Sequence, residues 1–89
     1  MHTIGATLVD YGNTSIANSY DTKDYTIDNP YGQNLICPLI LRMPNGNWVS
    51  GSVNSFTVTD TTVTVNVSFR NFYGSAVTGK IVFLLIGTE

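Results

Sequence analysis

The sequence predicts an all-β fold, specifically a small antiparallel β-sandwich of about six strands, and three observations support this prediction. Residues 55–69 alternate apolar and polar side chains with a period of two, as strands with one buried face do. Threonine, asparagine, serine, valine and glycine dominate, whereas the helix-favouring residues alanine, glutamate, glutamine and lysine are scarce. Asparagine, serine and glycine are residues that supply the turns between strands. A chain of 89 residues is long enough for one domain, so we expect a single domain spanning 1–89.

The most regular stretch, residues 55–69, predicts a β-hairpin. Its polar interruption at residues 59–62 contains Asp60, whose side chain can hydrogen-bond its own backbone in a tight turn. Phe56 and Val58 fall on one parity before this interruption, and Val63, Val65, Val67 and Phe69 alternate with polar residues after it. All six should share one buried face of the hairpin. Because a lone hairpin is marginally stable in water, the other segments must supply strands that cover this face.

The segments before this hairpin supply candidate strands in chain order. Residues 4–9 predict a first strand that ends at the turn residues 10–13, and residues 14–20 fit either a second short strand or a loop. Residues 21–28 alternate weakly and carry charges, which predicts an edge strand. Residues 29–34 predict a loop, because proline removes a backbone donor and restricts the residue before it.

The next strand is predicted at residues 35–43 and is followed by Asn45-Gly46, a pair suited to the positive φ of a hairpin turn. The chain then returns at Trp48, and Gly51 predicts a break or bulge before the main hairpin. A polar loop at residues 71–75 and a final strand within residues 76–87 complete the chain.

Two segments, residues 35–41 and 81–86, are apolar on both parities, although a strand of an antiparallel sandwich normally keeps one face in water. We expect a second copy of the chain to cover their outer faces, since exposed apolar patches of this kind mark interfaces. The sequence therefore predicts a homo-oligomer, with these interface residues: Leu39, Leu41, Ile81, Phe83 and Leu85. The alternative is that both strands are central in their sheets and loops of the same chain cap them.

Composition excludes several functional classes. Only 11% of the residues are charged, the net charge is -2, and the four basic residues are scattered, so we expect no nucleic-acid binding. No apolar run approaches the ~20 residues that span a bilayer, so we expect no membrane insertion. A low-charge surface rich in threonine, asparagine and serine is typical of secreted and virion proteins.

The residue inventory predicts neither catalysis nor a metal or cofactor site. His2 and Cys37 are each the single residue of their type, so no nucleophile and base can be paired, and Cys37 is expected to be a small buried hydrophobe. Asp21, Asp24 and Asp28 form the one carboxylate cluster, but their spacing matches no calcium loop. We expect them to form a solvated, charged strand edge.

Aromatic, amide and guanidinium side chains near predicted loops suggest carbohydrate binding. A sugar is held by a flat ring that stacks on its C–H face and by planar polar groups that meet its hydroxyls. The candidate residues are Asn47, Trp48, Arg70, Asn71 and Tyr73, with a second possible set around Tyr31 in the 29–34 loop. For any single ring, the alternative is a core lid or an interface anchor.

The order of segments 24–30, 53–67 and 79–87 resembles the small H-type lectin-like domains and related receptor-binding modules at the ends of phage tail fibres. The resemblance covers about two thirds of the chain and rests on strand pattern and the hydrophobic stretch that ends at Gly87. It implies a six-stranded sandwich that forms trimers and binds sugar at loops near subunit boundaries. The chain departs from that pattern in lacking an acidic residue in the 70–74 loop and a tryptophan in its final strand.

These observations lead us to expect a homotrimeric, non-enzymatic domain of a phage or prophage tail fibre, located on the virion or released from it, that binds a host-surface glycan. In this hypothesis Arg70 and Asn71 hydrogen-bond hydroxyls, and Tyr73 or Trp48 stacks on a sugar ring. The alternative hypothesis is a purely structural trimerisation or attachment domain whose aromatic loops anchor neighbouring subunits. An enzyme subunit would need a catalytic group from another chain.

Overall fold

The computed structural model describes residues 3–88, so His2 lies outside the described residues. Six antiparallel strands and one single-turn 3₁₀ helix, Gly32–Asn34, make up the regular structure. The strands are β1 Ile4–Ile16, β2 Ser19–Asp28, β3 Leu35–Arg42, β4 Val49–Val58, β5 Thr62–Asn71 and β6 Val77–Thr88. The predicted all-β fold with six strands is confirmed.

The strands form two three-stranded sheets with the orders β1-β6-β3 and β2-β5-β4. We call them the β6 sheet and the β5 sheet after their central strands. Within the described chain, β4 and β5 are the one consecutive pair that forms a hairpin, and every other connection crosses between the sheets. The strands run along the long axis of an elongated molecule that measures 49 × 19 × 18 Å.

The core lies between the two central strands. Alternate residues of β5 face alternate residues of β6, and all of them are buried: Val63, Val65, Val67 and Phe69 against Ile81, Phe83 and Leu85. Tyr25 of β2 lies among them, with its ring 6.3 Å from Phe69 and 5.6 Å from Phe83 between centroids. Its hydroxyl group meets the hydroxyl of Thr14 at 2.8 Å, which satisfies both groups inside the core. The alternation in β5 therefore forms one wall of the core, as its pattern predicts.

The turn predicted at residues 10–13 is instead a bulge within β1, which continues to Ile16. The register against β6 shifts at Tyr11, the backbone N–H of Gly12 donates to the Asp10 carboxylate at 2.9 Å, and Gly12 has a φ of 102°. Residues that favour turns can thus form a bulge, because a bulge, like a turn, uses a residue with positive φ and a hydrogen bond from a side chain to the nearby backbone.

Two other local predictions also differ from the structure. The Asn45-Gly46 turn joins β3 to β4 in the opposite sheet, so it forms no hairpin. Gly51 lies inside a continuous β4, whose bulge falls at Asn54 instead. A side chain at Gly51 would crowd its neighbours, since a Cβ there would approach Met43 Sδ to 2.9 Å and the Phe69 ring to 3.1 Å.

Tyr31 closes one end of the core and does not line an open sugar site. Its ring lies against Gly5 and Gly87, where a side chain would overlap it, and its hydroxyl meets the Thr7 hydroxyl at 2.9 Å. Asn29 shapes the loop by accepting a hydrogen bond from the Tyr31 N–H at 3.0 Å. For Tyr31, the core-lid alternative is the correct one.

Alkaline pH should reveal the burial of Tyr25. Burial raises the pKa of Tyr25 above its usual 10.0, with a smaller opposing effect from the Thr14 hydrogen bond and small contributions from Tyr11 and Asp21. The neutral phenol therefore stabilises the fold at pH values below 10.0, and this contribution is lost as the pH rises through the folded-state pKa. We expect Tyr25→Phe to lower the free energy of unfolding by about 1 kcal/mol at pH 7. We also expect the free energy of unfolding of this variant to fall less steeply than that of the wild type as the pH rises above 10.0, which urea unfolding at a series of pH values measures. An equally steep alkaline loss in the variant would contradict this role.

Candidate functional site

The outer face of the β5 sheet is polar, and its side chains bond one another. The Asn54 amide donates to Asn66 at 2.8 Å and to Ser68 at 2.6 Å, and the Asn66 amide donates to Asp24 at 2.7 Å. Further along the same face, the hydroxyl groups of two threonines, one on β2 and one on β5, meet at 2.9 Å. This face is suited to contact with water along its length.

The outer face of the β6 sheet is apolar over half of its length. Cross-strand pairing places three rows side by side there: Leu8–Leu84–Leu39, Ala6–Ile86–Cys37 and Asp10–Val82–Arg42. We call the first two rows, with Leu41 and Ile4 beside them, the apolar face. Its large side chains stay exposed, with Leu8 at 58%, Leu39 at 47% and Leu41 at 56%. No loop among residues 3–88 therefore covers them, which disfavours the alternative of intrachain capping.

Three of the predicted interface residues are placed differently by the structure. Ile81, Phe83 and Leu85 have 0% exposure and belong to the core of the same chain. The outward side of β6 is instead Val82, Leu84 and Ile86, of which Val82 is itself buried. Leu39 and Leu41 are exposed on the apolar face, so their role in an interface stays a prediction. Cys37 also belongs to this face and is half-buried, not a core residue.

Five side chains lie at one end of the long axis, where β2 and β4 begin and β5 ends, and they form two groups of contacting side chains. We call them the aromatic end: Tyr20, Trp48, Arg70, Phe72 and Tyr73. The register sets Tyr20 of β2 beside Arg70 of β5, and the N–H of Phe72 donates to the Trp48 carbonyl at 2.9 Å. The rings of Trp48 and Tyr73 meet edge to face with centroids 6.3 Å apart, and both are half-exposed.

Arg70 lies between two aromatic rings. Its guanidinium carbon is 5.0 Å from the centroid of Tyr20 and 4.6 Å from that of Phe72, which is cation–π range. Residues 70 and 72 point to the same side because strand side chains alternate, and pairing with β2 supplies Tyr20. The guanidinium group is thus held in place while its residue remains exposed.

Asn71 is not available to a ligand, which corrects its predicted role. It is 2% exposed, and its amide nitrogen donates to the carbonyls of Ala17 at 3.3 Å and Ser75 at 3.0 Å. Its side-chain oxygen accepts a hydrogen bond from the backbone N–H of Tyr73 at 2.9 Å. Asn71 therefore ties the β1–β2 connection to the β5–β6 loop and positions Tyr73, which makes it a positioning residue of the aromatic end.

The backbone around the aromatic end is unusual. The non-glycine residues with positive φ among residues 3–88 are Ser19, at 75°, the first residue of β2, and Asn45, at 47°, in the β3–β4 connection, and both lie at this end. Gly74, at 94°, lies in the β5–β6 connection at the same end. Such conformations cost free energy and occur often at functional sites. Asn47 is exposed in the β3–β4 loop beside Trp48.

Two members of the aromatic end, Tyr20 and Phe72, were absent from the candidates that the sequence predicts. Phe72 could have been found from its i+2 spacing to Arg70, which places both on one side of a strand. No local signal in the sequence points to Tyr20. It lies beside Arg70 only because β2 pairs with β5, and the two residues are far apart in the sequence.

A groove of about 640 Å³ lies at the opposite end, between the edge strands β1 and β2 and the β4–β5 turn. Leu8, Pro30, Asp28 and Asp60 are among its lining residues, which include no aromatic ring. Asp21 and Asp24 do not join it, since Asp21 accepts from the Ala17 N–H at 2.8 Å and Asp24 faces the polar outer face. Among residues 3–88, no three histidine, cysteine or carboxylate side chains are grouped as a metal site requires.

Replacing Asn71 should test its positioning role. We expect Asn71→Ala to lose about 2 kcal/mol of stability or more, because it removes a buried amide that donates to the carbonyl groups of Ile16, Ala17 and Ser75. Asn47→Ala, a matched change at an exposed asparagine, should alter stability by less than about 0.5 kcal/mol. Urea unfolding measures both values, and equal effects of the two changes would contradict the role assigned to Asn71.

Within the part of the chain that the structure describes, no helix is long and apolar enough to cross a membrane. Comparison with known protein families, curated proteins and solved structures found no match. The resemblance to H-type lectin-like and tail-fibre domains therefore stays a prediction.

Proposed function

We propose that this chain is a non-enzymatic, oligomeric attachment domain of a virion appendage such as a phage tail fibre, and that its aromatic end binds a host-surface carbohydrate. The apolar face of the β6 sheet is the observation that carries the proposal. The place on a virion rests on the sequence resemblance, whereas self-association and carbohydrate binding are argued from surfaces of the protein.

Self-association follows from the exposure of the apolar face. Two continuous cross-strand rows, Leu8–Leu84–Leu39 and Ala6–Ile86–Cys37, leave aliphatic side chains in water, and burying them is worth about 25 cal/mol for each Å² removed. The face is bounded by the Asp10–Lys80 ion pair, at 3.2 Å, and by Arg42. An apolar centre with a charged border is typical of protein interfaces.

The shape of the molecule favours a second copy as the occupant of this face. The face lies on one side of a molecule 49 Å long and only 18–19 Å across, so copies can pack side by side with their long axes aligned. This arrangement buries the apolar faces and leaves the aromatic ends free. Three copies around an axis would close such an assembly, and the trimer itself is what the resemblance implies.

The aromatic end supports carbohydrate binding by the chemistry of its side chains. Trp48 and Tyr73 offer half-exposed rings that can stack on the C–H face of a sugar, and Arg70 offers guanidinium donors for its oxygens. Asn47 lies in the adjoining loop and can add an amide. Asn71 fixes the backbone of Tyr73 on the β-sandwich, and this restraint reduces the entropy lost on binding.

The second candidate function is a purely structural trimerisation or attachment module without a small ligand. The edge-to-face contact of Trp48 with Tyr73 favours it, because such contacts also occur where aromatic residues anchor a neighbouring subunit. The two candidates share the apolar face and differ only in what the aromatic end does.

The oligomer can be tested by a change on the apolar face. We expect Leu39→Asn to shift the protein from oligomer to monomer, since it places an amide within the apolar face, at the β3 end of the Leu8–Leu84–Leu39 row. Thr57→Asn, on the exposed polar face of the β5 sheet, is the matched control and should keep the oligomer. Light scattering over a dilution series gives the molar mass, and a wild-type monomer at all concentrations would refute self-association.

Carbohydrate binding can be tested at the stacking platform. We expect Trp48→Ala to weaken glycan binding by about tenfold or more, because one half-exposed ring is lost, while the molar mass stays that of the wild type. Phe56→Ala, which removes a partly exposed ring from β4 outside the aromatic end, is the matched control. If Trp48→Ala dissociates the oligomer instead, the structural module is the correct function.

A further inference from the structure

The aromatic end contains a positive charge, that of Arg70, which has no ion-pair partner among residues 3–88. The ion pairs among residues 3–88 join Lys23 to Asp21 and Lys80 to Asp10, so Arg70 takes part in neither. Its cross-strand neighbours in the β5 sheet, Tyr20 and Ser50, carry no charge. The next row along the same face, at residues 22, 68 and 52, is made of hydroxyl side chains.

The carboxylates of the same sheet are directed elsewhere. Asp21, the one nearest in sequence to Tyr20, has its register partner at Phe69, on the core side of the sheet, and pairs with Lys23 and the Ala17 N–H. Asp24 is on the outer face but two rows further along, where it accepts from the Asn66 amide. Asp28 and Asp60 lie at the opposite end of the molecule.

The two rings beside Arg70 position its charge for a ligand. Tyr20 and Phe72 attract the guanidinium group through their faces at 5.0 and 4.6 Å. A ring face accepts no ordinary N–H hydrogen bond, so the donors of the guanidinium group stay available. Because the side chain is already restrained, less conformational entropy is lost when a partner binds.

We propose that the aromatic end selects a sugar that carries a carboxylate, such as a uronic acid residue, and that Arg70 binds the carboxylate while Trp48 and Tyr73 contact the sugar ring. The geometry of a guanidinium group matches the two oxygens of a carboxylate, and a charge-assisted pair is stronger than a hydrogen bond to a neutral hydroxyl. This inference rests on the proposed carbohydrate binding and specifies the class of sugar.

The test compares three probes by titration calorimetry on the intact oligomer. They are an oligosaccharide that contains glucuronic acid, the same oligosaccharide as its methyl ester, and the neutral glucose analogue. We expect the acid to bind wild type about tenfold more tightly than the ester, and to weaken as salt is added. In Arg70→Gln, this preference should vanish. Arg70→Lys, which keeps the charge but not the planar donors, should retain only part of it.

Arg42 provides the matched control, because it is a second exposed arginine outside both ion pairs of the described chain, and it lies at the border of the apolar face. Arg42→Gln should keep the preference for the acid, and unchanged thermal midpoints and molar masses would show that both variants are folded.

Equal affinity for acid and neutral probes would overturn this inference while leaving carbohydrate binding intact. Preference for the acid that survives in Arg70→Gln would also overturn it, and failure of every probe to bind would overturn the proposed carbohydrate function as well.

Discussion

The packing of β5 against β6 is the constraint on which the rest of the structure depends. Each is the central strand of its sheet, and their inward residues, with Val65 and Phe83 among them, fill a core only one side chain deep on either side. Edge strands then add to both flanks, and Tyr25 fills the space between Phe69 and Phe83. Since only alternate residues of a strand face inward, each sheet has a second face whose surroundings the core does not determine.

Those second faces are chemically opposite. The β5 sheet presents hydroxyl and amide groups that bond one another, as in the Asn54–Asn66–Asp24 chain of hydrogen bonds. The β6 sheet presents aliphatic side chains such as Leu8 and Leu39, which water solvates poorly. One face is therefore suited to solvent and the other to a protein partner, while the ends of the long axis stay free for recognition.

Alternation along a strand also explains why neighbours in sequence have opposite roles at the aromatic end. Asn71 points inward and bonds the backbone of two connections, whereas Arg70, one residue earlier, points outward between Tyr20 and Phe72. The buried amide fixes the loop that carries Tyr73, and the exposed guanidinium group offers hydrogen-bond donors. Removing the first should therefore change the stability of the fold, and removing the second should change the charge of the surface.

The sequence by itself determined the all-β class, the number of strands and the buried face of β5, because a strict period of two specifies both a strand and its inward parity. It also indicated that β3 and β6 carry apolar residues on both faces. Only the tertiary structure decided that Phe83 faces the core and Leu84 faces outward, since a strand that is apolar on both parities contains no information about which side is buried. The same holds for the contact of Tyr20 with Arg70 and for the crossing of the Asn45-Gly46 turn between sheets. These depend on which strands pair, and pairing is set by the packing of segments distant in sequence.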